Sequence, residues 1–146
     1  MQSVVTAASA KHFACNNKET NRLYSDSRLS DRALREVYLR GFEICVKESQ
    51  PWSIMSAYNY INGVRCCESY ELITLILRQE WGFTGMVTTD WDMSCDQTVI
   101  IKAGNDVRMP WCYLEKIKKD LDDSVLQRGH IEACAKRLLE MILKLY

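Results

Sequence analysis

Gly85-Met86-Val87-Thr88-Thr89-Asp90-Trp91-Asp92-Met93 is the stretch that decides how this chain folds. Met86 to Thr89 are β-formers, and Gly82 and Gly85 ahead of them let the chain turn tightly before it extends. Asp90 therefore stands where a strand stops and a loop begins. In α/β folds with parallel strands, that carboxyl end is where ligands bind. The plainer use of such an aspartate is to cap the next helix, and Asp92 reads as a cap or turn residue of that kind.

Upstream, Val4 to Ala10 are small and β-compatible and lead into Lys11-His12-Phe13, which predicts a strand ending near His12. A polar connection rich in Asn and Ser follows, from Cys15 to about Ser30, and connections of that length are often functional. Ser30 is a good N-cap for a helix from Asp31 to about Ser49. Leu34, Tyr38, Phe42, Cys45 and Val46 recur there at helical spacing until Gln50-Pro51 stops it. Trp52 to Tyr58 reads as a second strand, ending in the turn chemistry of Asn59-Tyr60-Ile61-Asn62-Gly63. Ser69 caps a buried helix through Glu80, which delivers the chain to the Asp90 strand.

Downstream, the pattern predicts a helix from about Ser94 to Ala103, ended by Gly104, and a short strand from Asp106 to Met109, ended by Pro110. Two more helices follow, about Tyr113 to Gln127 and Ile131 to Leu145, with Arg128-Gly129 between them as a stop signal. Strand and helix thus alternate four times, which calls for a parallel sheet with crossover helices. An open doubly wound sheet and part of an eight-stranded barrel both fit. A complete barrel takes roughly 250 residues, so the 146 residues here supply about half of one.

Composition narrows the function classes. Lys plus Arg and Asp plus Glu both total 19, so the chain has no net charge and lacks the basic stripe that nucleic acids select. No apolar run approaches membrane-spanning length, and the first residues do not have a signal-peptide layout. Seven cysteines form no CxxC pair and no zinc-ligand spacing. Structural thiols and a reducing, cytoplasmic compartment are the favoured readings.

Read by position, polar groups gather at the predicted strand ends: Lys11 and His12 at the first, Tyr58 and Asn59 at the second, Asp90 and Asp92 at the third. Arg22 lies in the long connection. A carboxylate among Lys, Arg, His, Tyr and Trp is the chemistry of a sugar site. Aromatic faces stack on pyranose rings, charged groups bind hydroxyls, and the carboxylate attacks or stabilises an anomeric centre. Each residue also has a plainer use. Lys11 can be a solvated strand-end lysine, His12 a packing histidine, and Tyr58 and Trp91 core aromatics with satisfied polar tips.

Lys11-His12-Phe13-Ala14-Cys15-Asn16-Asn17-Lys18-Glu19-Thr20-Asn21-Arg22 resembles the KHFAxNNxExNR motif of glycoside hydrolase family 3, the β-glucosidase-type enzymes. Leu29 to Glu36 is similar to the family's LSERxLRE segment, and Ile54 to Asn59 with Asn62-Gly63 to its MxxYNxxNG. Leu77 to Phe83 and Thr89-Asp90-Trp91 resemble its LRxEWGFxG…SDW region, and Ala103 to Pro110 its AGxDxxMP. These segments run in family order. The resemblance implies that Asp90 is the catalytic nucleophile and that Lys11, His12 and Arg22 bind hydroxyls of the sugar being cleaved. It also implies that Met55 and Tyr58 line that subsite and Trp91 shapes its wall. Thr89 stands where the family usually has Ser.

By the same resemblance, the chain is a partial (β/α)8 TIM barrel, an α/β fold of about four parallel strands with flanking helices. It would be the C-terminal half of the family's N-terminal barrel domain. The first barrel half, with further sugar-binding groups, and the sandwich domain that carries the acid/base Glu have no counterpart in it. The implied partner is a β-linked oligosaccharide or glycoside, with the missing barrel half and sandwich domain, or self-association, as protein partners. No nucleic acid, membrane, metal or organic cofactor is implied. The alternative is a truncated, inactive fragment that serves only as a sugar-binding or interaction module.

Overall fold

The computed structural model describes residues 6–91 and 94–145. Asp92, read above as a cap or turn residue, and the first residues of the predicted Val4 strand lie outside them.

Among the described residues, six strands and five α-helices appear in the order β1 (Ser9–Phe13), β2 (Asp26–Ser27), α1 (Asp31–Ala33), α2 (Arg40–Ser49), β3 (Ser53–Ser56), β4 (Tyr60–Ile61), β5 (Val64–Arg65), β6 (Met86–Thr89), α3 (Gln97–Ala103), α4 (Leu114–Asp122) and α5 (Arg128–Leu143). Two π-helical segments, Leu34–Tyr38 and Glu71–Glu80, and a short 3-10 helix, Cys66–Glu68, lie on either side of β3. The main sheet is parallel and runs β1-β3-β6. Ser53 to Ser56 pair in strict register with Met86 to Thr89, whereas the β1–β3 register shifts between Ala10 and Phe13. A parallel bridge from Thr88 to Val107 extends the sheet by one position. Each strand thus lies beside the next main-sheet strand in the chain, with helices packed against the sheet.

Phe13, Ile54 and Val87, one from each main strand, are fully buried against Leu39, Val46, Ile73, Ile76 and Leu77. Complete burial of such a side chain stabilises the fold by about 1.5–3 kcal/mol. Phe13 meets Phe42 and Trp81 edge-to-face, with ring centroids 5.1 and 5.9 Å away. Gly85 is required by a close approach: a Cβ there would stand 2.6 Å from the Trp52 carbonyl oxygen and 2.7 Å from the Phe83 ring. This is how the chain enters β6.

Ser30 and Ser69 cap as expected, their hydroxyls accepting from the Ala33 and Leu72 N–H groups at 3.3 and 3.1 Å. Several boundaries differ from the sequence expectation. The predicted Asp106–Met109 strand is a single bridge at Val107, because Asp106 turns its carboxylate inward and Met109 bonds to the Thr89 hydroxyl instead of continuing a ladder. The helix expected from Ser94 begins at Gln97, since Asp96 is its N-cap and accepts from both Thr98 and Val99. Arg128 and Gly129 do not end a helix; they open α5. The polar connection after β1 is also not all loop. Its β2 segment pairs with β4, and the β4–β5 hairpin turns at Asn62-Gly63, both at positive φ as a tight two-residue turn demands.

Candidate active site

Because β1, β3 and β6 are parallel, their carboxyl ends share one edge of the sheet, where residues distant in sequence come together. Asp90 follows β6 directly. Its Oδ2 lies 3.4 Å from His12 Nε2, with side-chain exposures of 13% and 29%. Residues 78 positions apart in sequence are thereby brought into one ion-pair distance by the pairing of both strands with β3. Lys11, next to His12 on β1, is exposed.

Tyr58, just past β3, is buried by its surroundings, and the Arg22 guanidinium carbon stands 5.1 Å from its ring centre. Arg22 also holds Glu19 at 2.8 Å, a contact inside the polar connection. The polar connection thus folds back to the end of β3, placing a cation on an aromatic face. Met55 is half-buried on β3, in register with Thr88. Trp91 remains 55% exposed, so it is not the core aromatic that its plainer reading allowed.

Asn59, expected with Tyr58 at the second strand end, is fully buried, and its Nδ2 donates to the Ala14 carbonyl at 3.1 Å. It therefore joins β1 to β3 rather than facing the shared edge. Thr89 is likewise buried, and its hydroxyl accepts from the Met109 N–H at 2.9 Å. A serine in its place would offer the same oxygen.

Two supporting residues carry more of the site than their sequence positions suggest. Asp106 has no exposed side-chain surface. Its Oδ2 accepts from the Val87 N–H and from Arg78 Nη2, each at 2.8 Å, and its Oδ1 accepts from Arg137 Nε at 2.7 Å. Burial pushes the Arg78 guanidinium down and Asp106 opposes that shift. One carboxylate thus fastens β6 to the Glu71–Glu80 segment and to α5. Asn105 accepts from the Ser56 hydroxyl at 3.1 Å and donates to the Cys67 carbonyl at 2.5 Å, linking the end of β3 to the turn after β5. In sequence the only sign of either residue is the motif Ala103 to Pro110, which marks a place but no partner.

A model of the glycosyl hydrolase family 3 N-terminal domain matches residues 1–141. Beta-glucosidase A of Butyrivibrio fibrisolvens is 47% identical over 132 residues, which make up 90% of this chain and 16% of that protein. An exo-α-(1→6)-L-arabinopyranosidase of Bifidobacterium longum is 41% identical over 99% of this chain and 19% of its own length. The structure of β-glucosidase 3B from Thermotoga neapolitana, in complex with α-D-glucose, superposes with a TM-score of 0.93 at 41% identity, covering 96% of this chain and 21% of that one. The chain thus spans about a fifth of the length of the relatives it matches. A family match over nearly the whole chain, with the same arrangement of strands and helices in a solved relative, places this protein in glycosyl hydrolase family 3.

Proposed function

We propose that this chain is the C-terminal half of the catalytic barrel domain of a retaining β-glucosidase-type enzyme, with Asp90 as its nucleophile. The single observation that carries the reading is the Asp90 carboxylate at the end of β6, 3.4 Å from His12 on β1. The half-barrel reading is supported by strand order. β1, β3, β6 and the Val107 bridge follow one another without the reversal that marks a doubly wound sheet.

In the complete enzyme a β-linked terminal sugar binds with His12, Lys11 and Arg22 on its hydroxyls. Met55 and Tyr58 line the subsite and Trp91 forms its wall. An Asp90 oxygen attacks the anomeric carbon while the bond to the leaving oxygen breaks, and a second carboxyl group protonates that oxygen. The resulting glycosyl ester is then cleaved by water, which the same second group deprotonates, so configuration is retained. That second group comes from a following sandwich domain, and further hydroxyl-binding groups come from the first barrel half.

General acid assistance is typically worth about 10²–10⁴-fold in rate. The chain alone is therefore expected to bind sugar weakly and not to turn over p-nitrophenyl β-glucoside. Turnover should appear when the first barrel half and the sandwich domain are supplied, joined or as separate chains. Robust turnover by the 146-residue chain alone would contradict the division of labour. A completed, folded enzyme that remains inert towards β-glycosides would contradict the function.

A further inference from the structure

We propose that Cys67 and Cys95 are a redox-modification site: hydroperoxides convert the pair to a disulfide that fastens the wall beside Tyr58 to the segment leaving Asp90. The two thiols hydrogen-bond to each other and share a buried cluster with Tyr58 and Ile100. Their backbones are held in register from both sides. The Asp96 N–H, one residue past Cys95, donates to Glu68 Oε1 at 2.9 Å, one residue past Cys67. Arg108 Nη1 donates to the Cys95 carbonyl at 3.0 Å, and Asn105 holds the Cys67 carbonyl.

The surroundings divide the roles. The Cys67 hydrogen bond, with the Arg108 cation beyond it, holds the Cys95 thiol below its ordinary value. The same hydrogen bond and burial push Cys67 up. Cys95 is 8% exposed and Cys67 is not exposed at all, so Cys95 meets the oxidant first. The Cys95 thiolate attacks a peroxide oxygen, the O–O bond breaks, and the departing oxygen takes a proton, leaving a sulfenic acid. The Cys67 sulfur then attacks the Cys95 sulfur. The S–O bond breaks and the oxygen leaves as water with the Cys67 proton. Two thiols are oxidised and one peroxide is reduced.

The other buried thiols are poor competitors. Burial pushes Cys15 and Cys134 up to about 11 and Cys66 up to about 12. Cys112 is exposed, so the test uses the full chain carrying Cys112→Ser. After hydrogen peroxide treatment, blocking of free thiols and tryptic digestion without reductant, peptides 66–78 and 79–102 should be joined, with the loss of two hydrogens. Dithiothreitol should separate them. The joined peptide should persist in Cys66→Ser and be absent in Cys67→Ser. Oxidation should also raise the unfolding temperature by several degrees, reversibly, because the cross-link constrains the unfolded chain. Cys67 that remains fully alkylatable in the parent chain after peroxide treatment would overturn the proposal, and so would a joined peptide that survives Cys67→Ser.

Discussion

Asp106 and Asp90 flank the same strand, β6, and the protein surrounds them differently. Asp106 is enclosed: two guanidinium groups and the Val87 N–H take up its oxygens, and none of its side chain reaches solvent. Asp90 keeps 13% of its side chain exposed, and its Oδ2 stands 3.4 Å from His12 Nε2. One carboxylate holds the frame, and the other stands just past the carboxyl end of β6 with part of its surface exposed. The difference lies in what approaches each residue. Arg78 and Arg137 come from helical elements that reach Asp106 beside β6, whereas Asp90 follows the end of β6 and meets His12 of β1. A structural carboxylate is recognised by its saturated oxygens, and a candidate catalytic one by oxygens that remain reachable.

The largest test of that contrast is on stability. Asp106→Ala leaves two arginines, one of them deeply buried, without their shared partner. Such a loss costs about 3–5 kcal/mol. Asp90→Asn removes one partly exposed pairing and should change stability by less than about 1 kcal/mol. Urea unfolding of the two variants beside the parent chain checks both. Equal losses, or a larger loss for Asp90→Asn, would break the contrast.

The sequence carried the centre of this arrangement better than its periphery. The Met86–Thr89 strand was legible to the residue, because glycine turns precede a run of β-formers and a carboxylate ends it. The helix starts at Ser30 and Ser69 were legible because a serine hydroxyl has a single local task there. The small sheet was not legible: strands of two residues, such as Tyr60–Ile61 and Val64–Arg65, are too short for alternation to register. The Asn62-Gly63 pair between them is nevertheless a hairpin signal, and it was available. Arg128-Gly129 carried a stop signal, but the chain uses the pair to open α5. For the site, residue types and strand ends brought His12 and Asp90 onto one edge in advance. The Asp106 cluster could not be foreseen, because its partners Arg78 and Arg137 stand 28 and 31 positions away in sequence with no local pattern to pair them.

A smaller effect sharpens the description of the frame. Arg35 holds the Glu80 carboxyl below the usual carboxylate range, and Lys116 with the Thr98 hydroxyl does the same for Asp120. A carboxyl that is more acidic in the folded state adds stability that is complete above its ordinary pKa of about 4 and is lost as pH falls through its folded value. Thermal unfolding should therefore shift to lower temperature as the solution is acidified below about pH 4. Glu80→Gln should flatten part of that dependence. An unchanged acid profile in Glu80→Gln would remove this pair from the account.

The central claim is that Asp90 is the nucleophile, and covalent trapping tests it most directly. In the completed enzyme, a 2-deoxy-2-fluoro β-glucoside with a dinitrophenolate leaving group should form a glycosyl ester that hydrolyses slowly, because fluorine destabilises the oxocarbenium-like transition state. Peptide mass spectrometry should place the sugar on Asp90. Asp90→Asn should abolish the labelling and lower turnover by roughly 10⁴- to 10⁶-fold, the scale seen when hydrolases lose a core catalytic group. His12→Ala should slow the labelling without abolishing it. A label found on any other carboxylate, or undiminished labelling of Asp90→Asn, would contradict the account.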